Sequence, residues 1–221
     1  MARTIITAHS DDSYQRHVGA AGNPWGISRS ATTATSMSNT VNNYVFGVYT
    51  RYVAGRGGNQ FFITRSYFPF DCSGIAAGTH ISNAYVSLYL DSLGTTDGTA
   101  NLVVLLDAAA LDDSTADYNN IFDGVSIRDK LHDDAVAVSS TAGHHIFPLN
   151  RGGRRKVQGA INDGGEFLVG LTSYTYDYSD SAPSAGGDYT KIDVYYASAS
   201  AIYRPFLVVD FDDAVFMGAN F

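Results

Sequence analysis

The side chains able to do chemistry in this chain are mostly aspartates. Of 22 acidic residues only Glu166 is a glutamate. Asp177, Asp180 and Asp188 fall in one segment with Ser179 and Ser181, and Asp112, Asp113 and Asp117 crowd a second. Oxygen ligands on a loop suit calcium, so Asp177, Asp180 and Asp188 are the candidate calcium ligands, although no EF-hand spacing is present. The competing reading is that aspartates in turns satisfy nearby backbone N–H groups and bind nothing. His144 and His145 are adjacent. On a strand they point to opposite faces and cannot jointly hold one ion. His132, beside Asp133 and Asp134, reads as a solvated turn. There is no Gly-x-Ser-x-Gly, His-Glu-x-x-His, P-loop or Gly-x-Gly-x-x-Gly pattern. With a lone glutamate and aspartates set beside turn glycines, no focal pair of carboxylates for glycoside chemistry stands out. The expectation is a protein that is not an enzyme and holds no cofactor, unless calcium.

Three further groups are candidates for binding. Tyr174, Tyr176 and Tyr178 share one face if their segment is extended. A tyrosine row can stack on sugar rings, bury against a protein partner, or line the interior. Arg154, Arg155 and Lys156, with Arg151, form the basic cluster, which suits an acidic partner surface or is simply a solvated helix face. Phe216 and Phe221 lie in an apolar C-terminal tail that either packs back or reaches a neighbouring chain.

These residues need a frame to position them. The chain has 221 residues, is 45% hydrophobic and only 16% charged, with 22 Gly, 15 Tyr and 12 Phe. That is enough apolar material for a core, and the Asp, Gly and aromatic bias favours strands joined by turns over helices. The net charge of −8 disfavours nucleic acid and anionic membrane as partners. No apolar run reaches membrane-spanning length. The start of the chain does not read as a secretory leader, which points to synthesis in a host cytoplasm. A single cysteine, Cys72, excludes an internal disulfide.

Period-2 alternation predicts strands. Ala84, Val86, Leu88 and Leu90 face one way, and Tyr85, Ser87, Tyr89 and Asp91 the other. The same pattern holds over Tyr44–Tyr49, Ser66–Asp71, Phe167–Thr172, Ile192–Tyr196 and Leu207–Phe211. Leu102–Leu106 is apolar on both faces and reads as a central strand. Arg3–Ala8, Gln60–Thr64 and Ile146–Leu149 are shorter candidates. Arg154–Ile161 predicts a helix, because Val157 and Ile161 lie four apart, and Val125–Leu131 a weaker one. Residues 9–40 read as a long, partly irregular excursion pinned by Trp25. The fold class expected is all-β: a single jelly-roll-like β-sandwich of about nine or ten antiparallel strands with one or two short helices. It would span residues 1–221 as one domain, with an N-terminal part over 1–59, a core over 60–212 and a tail over 213–221.

Two stretches in fixed order resemble a known family. The first runs from Arg65-Ser66-Tyr67-Phe68-Pro69-Phe70-Asp71-Cys72-Ser73-Gly74-Ile75 into Gly78-Thr79-His80-Ile81-Ser82-Asn83-Ala84-Tyr85-Val86-Ser87-Leu88-Tyr89. The second is Tyr203-Arg204-Pro205-Phe206-Leu207-Val208-Val209-Asp210-Phe211. Together they resemble the DNRLRE-type β-sandwich modules related to carbohydrate-binding jelly rolls. Cys72 departs from that pattern, and so does the absence of a Trp-rich middle. Similar modules occur among phage-encoded proteins. The resemblance implies a jelly-roll sandwich over roughly residues 60–212. It suggests a phage virion protein, either a capsid decoration (cement) protein or a fibre subunit, whose partners would be other virion proteins or copies of itself. The other function it suggests is a carbohydrate-binding module that takes a surface glycan.

Overall fold

A computed structural model describes residues 2–9, 11–38, 44–56, 58–92, 101–109, 111–112, 114–122, 127–185, 189–197 and 199–212. Asp113, Asp188 and the tail with Phe216 and Phe221 lie outside these described residues. The strands are β1 (Arg3–Thr7), β2 (Ser13–Val18), β3 (Ser36–Ser38), β4 (Tyr44–Val53), β5 (Gln60–Asp71), β6 (Ile81–Ser92), β7 (Leu102–Asp107), β8 (Val136–Ala137), β9 (Gly143–Pro148), β10 (Glu166–Ser173), β11 (Thr190–Tyr195) and β12 (Phe206–Phe211). Among the described residues two α-helices accompany them, α1 (Trp25–Arg29) and α2 (Arg151–Asp163). The fold class is thus all-β, as the alternation predicts. All pairings are antiparallel.

The strands form one hydrogen-bonded network that folds over into two layers. Two strands of 12 residues organise it. Along one edge of β5, β4 pairs with residues 60–64 and β10 with residues 66–71, while β2 takes the other edge. Likewise β12 and then β11 follow each other along one edge of β6, with β9 on the other. One layer therefore runs β1-β12-β6-β9 and the other β2-β5-β10-β7-β8, with β11 and β4 joining them. The inward residues meet in one core. Ala84, Val86, Leu88, Leu90, Phe147, Leu207 and Val209 come from the first layer, and Phe68, Phe70, Val103, Leu105, Val169 and Leu171 from the second. Phe70, fully buried, lies nearly parallel to Phe167 with ring centroids 6.3 Å apart.

The expected strands Gln60–Thr64 and Ser66–Asp71 are one continuous β5, with Pro69 inside it. The Pro69 carbonyl points away from β10 and accepts from the His9 N–H at 2.9 Å. Its missing N–H falls on that same edge, beyond the β2 ladder, and costs β10 nothing. The excursion over residues 9–40 carries more regular structure than expected, namely β2, α1 and β3. The polar run Ser13–Val18 hides a strand because Ser13 and Gln15 are buried under another loop, and the Gln15 amide donates to the Ser114 carbonyl.

The predicted helix over Arg154–Ile161 extends to Arg151–Asp163. Asn150 caps its start through Gly153 N–H, and Gly164 ends it at φ +61°, a left-handed conformation suited to glycine. Val157 and Ile161 are buried on its inner side. Gly153 is required there, since a Cβ would come within 2.5 Å of the Leu131 carbonyl oxygen. The second predicted helix, Val125–Leu131, is not formed by its described residues. Ile127 bridges to Phe122 and Lys130 to Leu106 instead. No helix among the described residues is long and apolar enough to cross a membrane.

Candidate functional site

The outer faces of the two layers differ. That of the second layer is covered by α1, by residues 111–112 and 114–122 and by a one-turn π-helix over Tyr174–Tyr178. At its centre Arg65 is fully buried. Its Nε and Nη2 donate to the two oxygens of Asp177 at 2.7 and 2.8 Å, its Nη1 to the Tyr118 carbonyl and its Nη2 also to the Arg29 carbonyl. The Tyr118 ring packs on the guanidinium at 4.1 Å. Thr172 Oγ1 donates to Asp177 as well, at 2.6 Å. Burial inside this cluster pushes the Tyr67 and Tyr118 hydroxyls far above their ordinary range, with Arg65 opposing the shift.

Several candidate residues of the sequence meet here in structural roles. Asp177, a candidate calcium ligand, is the counter-ion of Arg65. Asp180 accepts the Trp25 indole N–H at 3.0 Å and faces Arg29 at 3.4 Å. Among the described residues no group of three or more His, Cys, Asp or Glu side chains is placed to hold a metal ion. Asp117 caps its own loop by accepting from the Asp112 and Ser114 N–H groups. The tyrosine row corrects the extended reading. The segment coils into a π-helical turn, so Tyr174 and Tyr178 stack at 5.3 Å and 17° while Tyr176 turns inward and is buried.

The basic cluster is divided in the same way. Arg154 donates to the Leu149 carbonyl at 2.7 Å, and Lys156 pairs with Asp107 at 2.8 Å. Arg155 is exposed at a groove of about 520 Å³ whose wall also carries Asp107, Asp163 and Glu166. It is a mixed-charge surface, not a basic one. His132 is buried, and its Nε2 accepts the Leu105 N–H at 2.8 Å. Burial holds it down at about 4.

The outer face of the first layer is aromatic, and among the described residues no helix covers it. On β6, Tyr85, Ser87 and Tyr89 point outward. β9 sets His144 opposite Tyr89 and Ile146 opposite Ser87. β12 sets Phe206 opposite Ser87 from the other edge. β11 pairs Val194 with Leu90, which places Tyr195 next to Tyr89. A turn closed by Tyr203 N–H on the Ser200 carbonyl folds Tyr203 over them. The rings form one cluster. Tyr89 meets Tyr203 at 4.7 Å, Tyr195 at 4.9 Å and His144 at 5.1 Å. Tyr195 meets Tyr203 at 5.2 Å, and His144 meets Phe206 at 5.3 Å. Most contacts are edge-to-face, the geometry that the ring quadrupoles favour.

His144 is held in a defined orientation. Its Nε2 lies 2.9 Å from the Ile202 carbonyl oxygen, and its Nδ1 lies 3.0 Å from Ser87 Oγ. The carbonyl can only accept, so in the neutral ring Nε2 carries the proton and Nδ1 accepts from the Ser87 hydroxyl. With both nitrogens engaged, the imidazole offers its ring surface to the cluster. All five rings are half-buried or exposed. The alternation over Ala84–Asp91 already placed Tyr89 on the outward side. No sequence signal joined it to residues 55 to more than 110 positions away.

No protein-family model matches the chain, and no curated protein matches it. The DNRLRE-type resemblance rests on the residues named for it. Among solved structures the chain is similar to a xylan-binding module CBM15, at 10% identity and a TM-score of 0.38, over 94% of this chain and 97% of that one.

Proposed function

We propose that this protein is a non-catalytic binding module that takes a glycan on the tyrosine cluster of its aromatic face. The observation that carries the reading is the group of Tyr89, Tyr195, Tyr203, His144 and Phe206, half-buried or exposed on one sheet face. Sugar rings present apolar C–H faces and hydroxyl rims, which suit aromatic side chains with a polar tip. The test is affinity electrophoresis and a glycan array with neutral and acidic polysaccharides, xylan included. The wild-type protein should bind a subset, and Tyr89→Ala or Tyr203→Ala should weaken that binding roughly tenfold or more, as truncated anchor aromatics do. The melting temperature should change little, because these rings are not core. Binding that survives both substitutions, or no binding to any glycan, refutes the reading.

A second reading is favoured by one observation. Ile5, Ile146 and Ile202 are 63%, 56% and 66% exposed and lie on or beside the same face. Branched aliphatic side chains are surface that a protein partner covers better than a sugar. On this reading the face joins copies of the chain or another virion protein, as in a capsid decoration protein or fibre subunit. Sedimentation of the purified protein and mass spectrometry of intact virions test it. A monomer absent from particles rules it out.

A further inference from the structure

Asp91 and Asp193 face each other across β6 and β11 as direct partners in the ladder. They lie one outward position along from Tyr89 and Tyr195, at the foot of the tyrosine cluster. Asp193 is 3% exposed. In each residue Oδ1 is buried and has no hydrogen-bond partner. Like charges directly opposite on neighbouring antiparallel strands repel, with Cβ atoms only about 5 Å apart. Among the described residues, the charged groups acting on Asp193 are Asp91 from β6 and Lys191 on its own strand. Tyr89 and Tyr195 are the titratable groups of the next rung. A buried pair of acceptors without donors calls for a proton between them.

We propose that Asp91 and Asp193 share one proton, and that this proton ties β6 to β11 beneath the tyrosine cluster. In the tied form one carboxyl O–H donates to the other carboxylate. When the proton leaves to water, two carboxylates remain that repel across the ladder, and the rung carrying Tyr89 and Tyr195 loosens. Burial first, and then Asp91, push the Asp193 carboxyl up to about 6, while Lys191 pulls it down. A carboxyl held above its unfolded value of 3.8 favours the folded state fully below that value. Its contribution is lost as pH rises through the folded value. The tie therefore holds in mild acid and opens toward neutrality. This inference does not depend on what the aromatic face binds.

The experiment is carboxyl-carbon and tyrosine-ring NMR across pH 4 to 8, on the full chain and on Asp91→Asn. In the wild type the Asp193 carboxyl should titrate well above the ordinary aspartate range, and the Tyr89 and Tyr195 ring signals should follow the same transition. In Asp91→Asn the amide donates permanently and the second charge is gone. The Asp193 transition should move to acid by about one pH unit or more, and the ring signals should lose their step. A normal Asp193 titration in the wild type overturns the proposal, as does a transition that stays in place in Asp91→Asn. If Asp91→Asn does not fold, Asp193→Asn serves in its place. Its ring signals should be flat over the same range, and a persisting step overturns the proposal equally.

Discussion

At the scale of single residues, Asp177 shows how environment assigns a role. In the sequence it is one of many loop aspartates and a candidate calcium ligand. In the fold both of its oxygens are held by Arg65 and one also by Thr172, at a depth where an unpaired charge is costly. Asp177→Asn would leave the guanidinium buried with half its compensation. We expect it to lower unfolding stability by about 3–5 kcal/mol, the usual cost of breaking a buried pair from one side. The measurement is the urea midpoint at constant slope. An unchanged midpoint would mean that Arg65 finds other partners and that the pair does not hold the three covering segments down.

At the scale of elements, α2 illustrates how much of a helix is local. Its apolar spacing stands in the sequence, and the structure adds the Asn150 cap and the left-handed stop at Gly164. Asn150 Oδ1 accepts the Gly153 N–H at 2.8 Å, and its amide donates to the Lys130 carbonyl at 3.1 Å. Asn150→Ala should cost about 1 kcal/mol, up to about 2 because two bonds are lost. The loss should appear as faster amide exchange confined to the first turn of α2 and residues 130–131. Exchange that accelerates throughout the sandwich would instead show that the helix end is part of the global folding unit. The strand β2 is the opposite case. Nothing local in Ser-Tyr-Gln-Arg-His-Val marks it as buried, because the cover over Ser13 and Gln15 comes from a loop about a hundred residues later.

At the scale of the whole molecule, pH acts through opposed groups. Burial pushes the Asp12 carboxyl up to about 7, against the pull of the Ala197 N–H bond. Its contribution to folding is complete below its unfolded value of 3.8 and is lost as pH rises through 7. His132, held at about 4 against an unfolded value of 6.5, works the other way. Its contribution is present above 6.5 and is lost as pH falls toward 4, when protonation removes the lone pair that accepts the Leu105 N–H. In Asp12→Asn the acceptor for Ala197 remains and the charge cannot form. The stability of this variant relative to wild type should rise with pH, by as much as about 4 kcal/mol between pH 4 and 8. A difference that does not vary with pH would show that Asp12 titrates normally. The His132 side should show as a loss of up to about 3 kcal/mol between pH 6.5 and 4 in both proteins.

The class of fold, most strand positions, the inward set of the strands with clear alternation and the principal helix are legible in the sequence. The reason is that alternation with a period of two and the four-residue apolar spacing of a helix are written within a few neighbouring residues. Phe70, Val86 and Leu207 are inward for that reason alone. Which strand lies beside which was decided only by the tertiary structure, and with it the candidate site. Tyr89, Tyr195, Tyr203 and His144 form one surface because β9 and β11 take opposite edges of β6 and a later turn folds back over them. Each pairing joins distant parts of the chain, and no local spacing encodes it. The same holds for Asp91 and Asp193, unremarkable as two aspartates in two strands until the register sets them face to face, and for Tyr176, whose outward or inward turn depended on one helical coil that the covering loops stabilise.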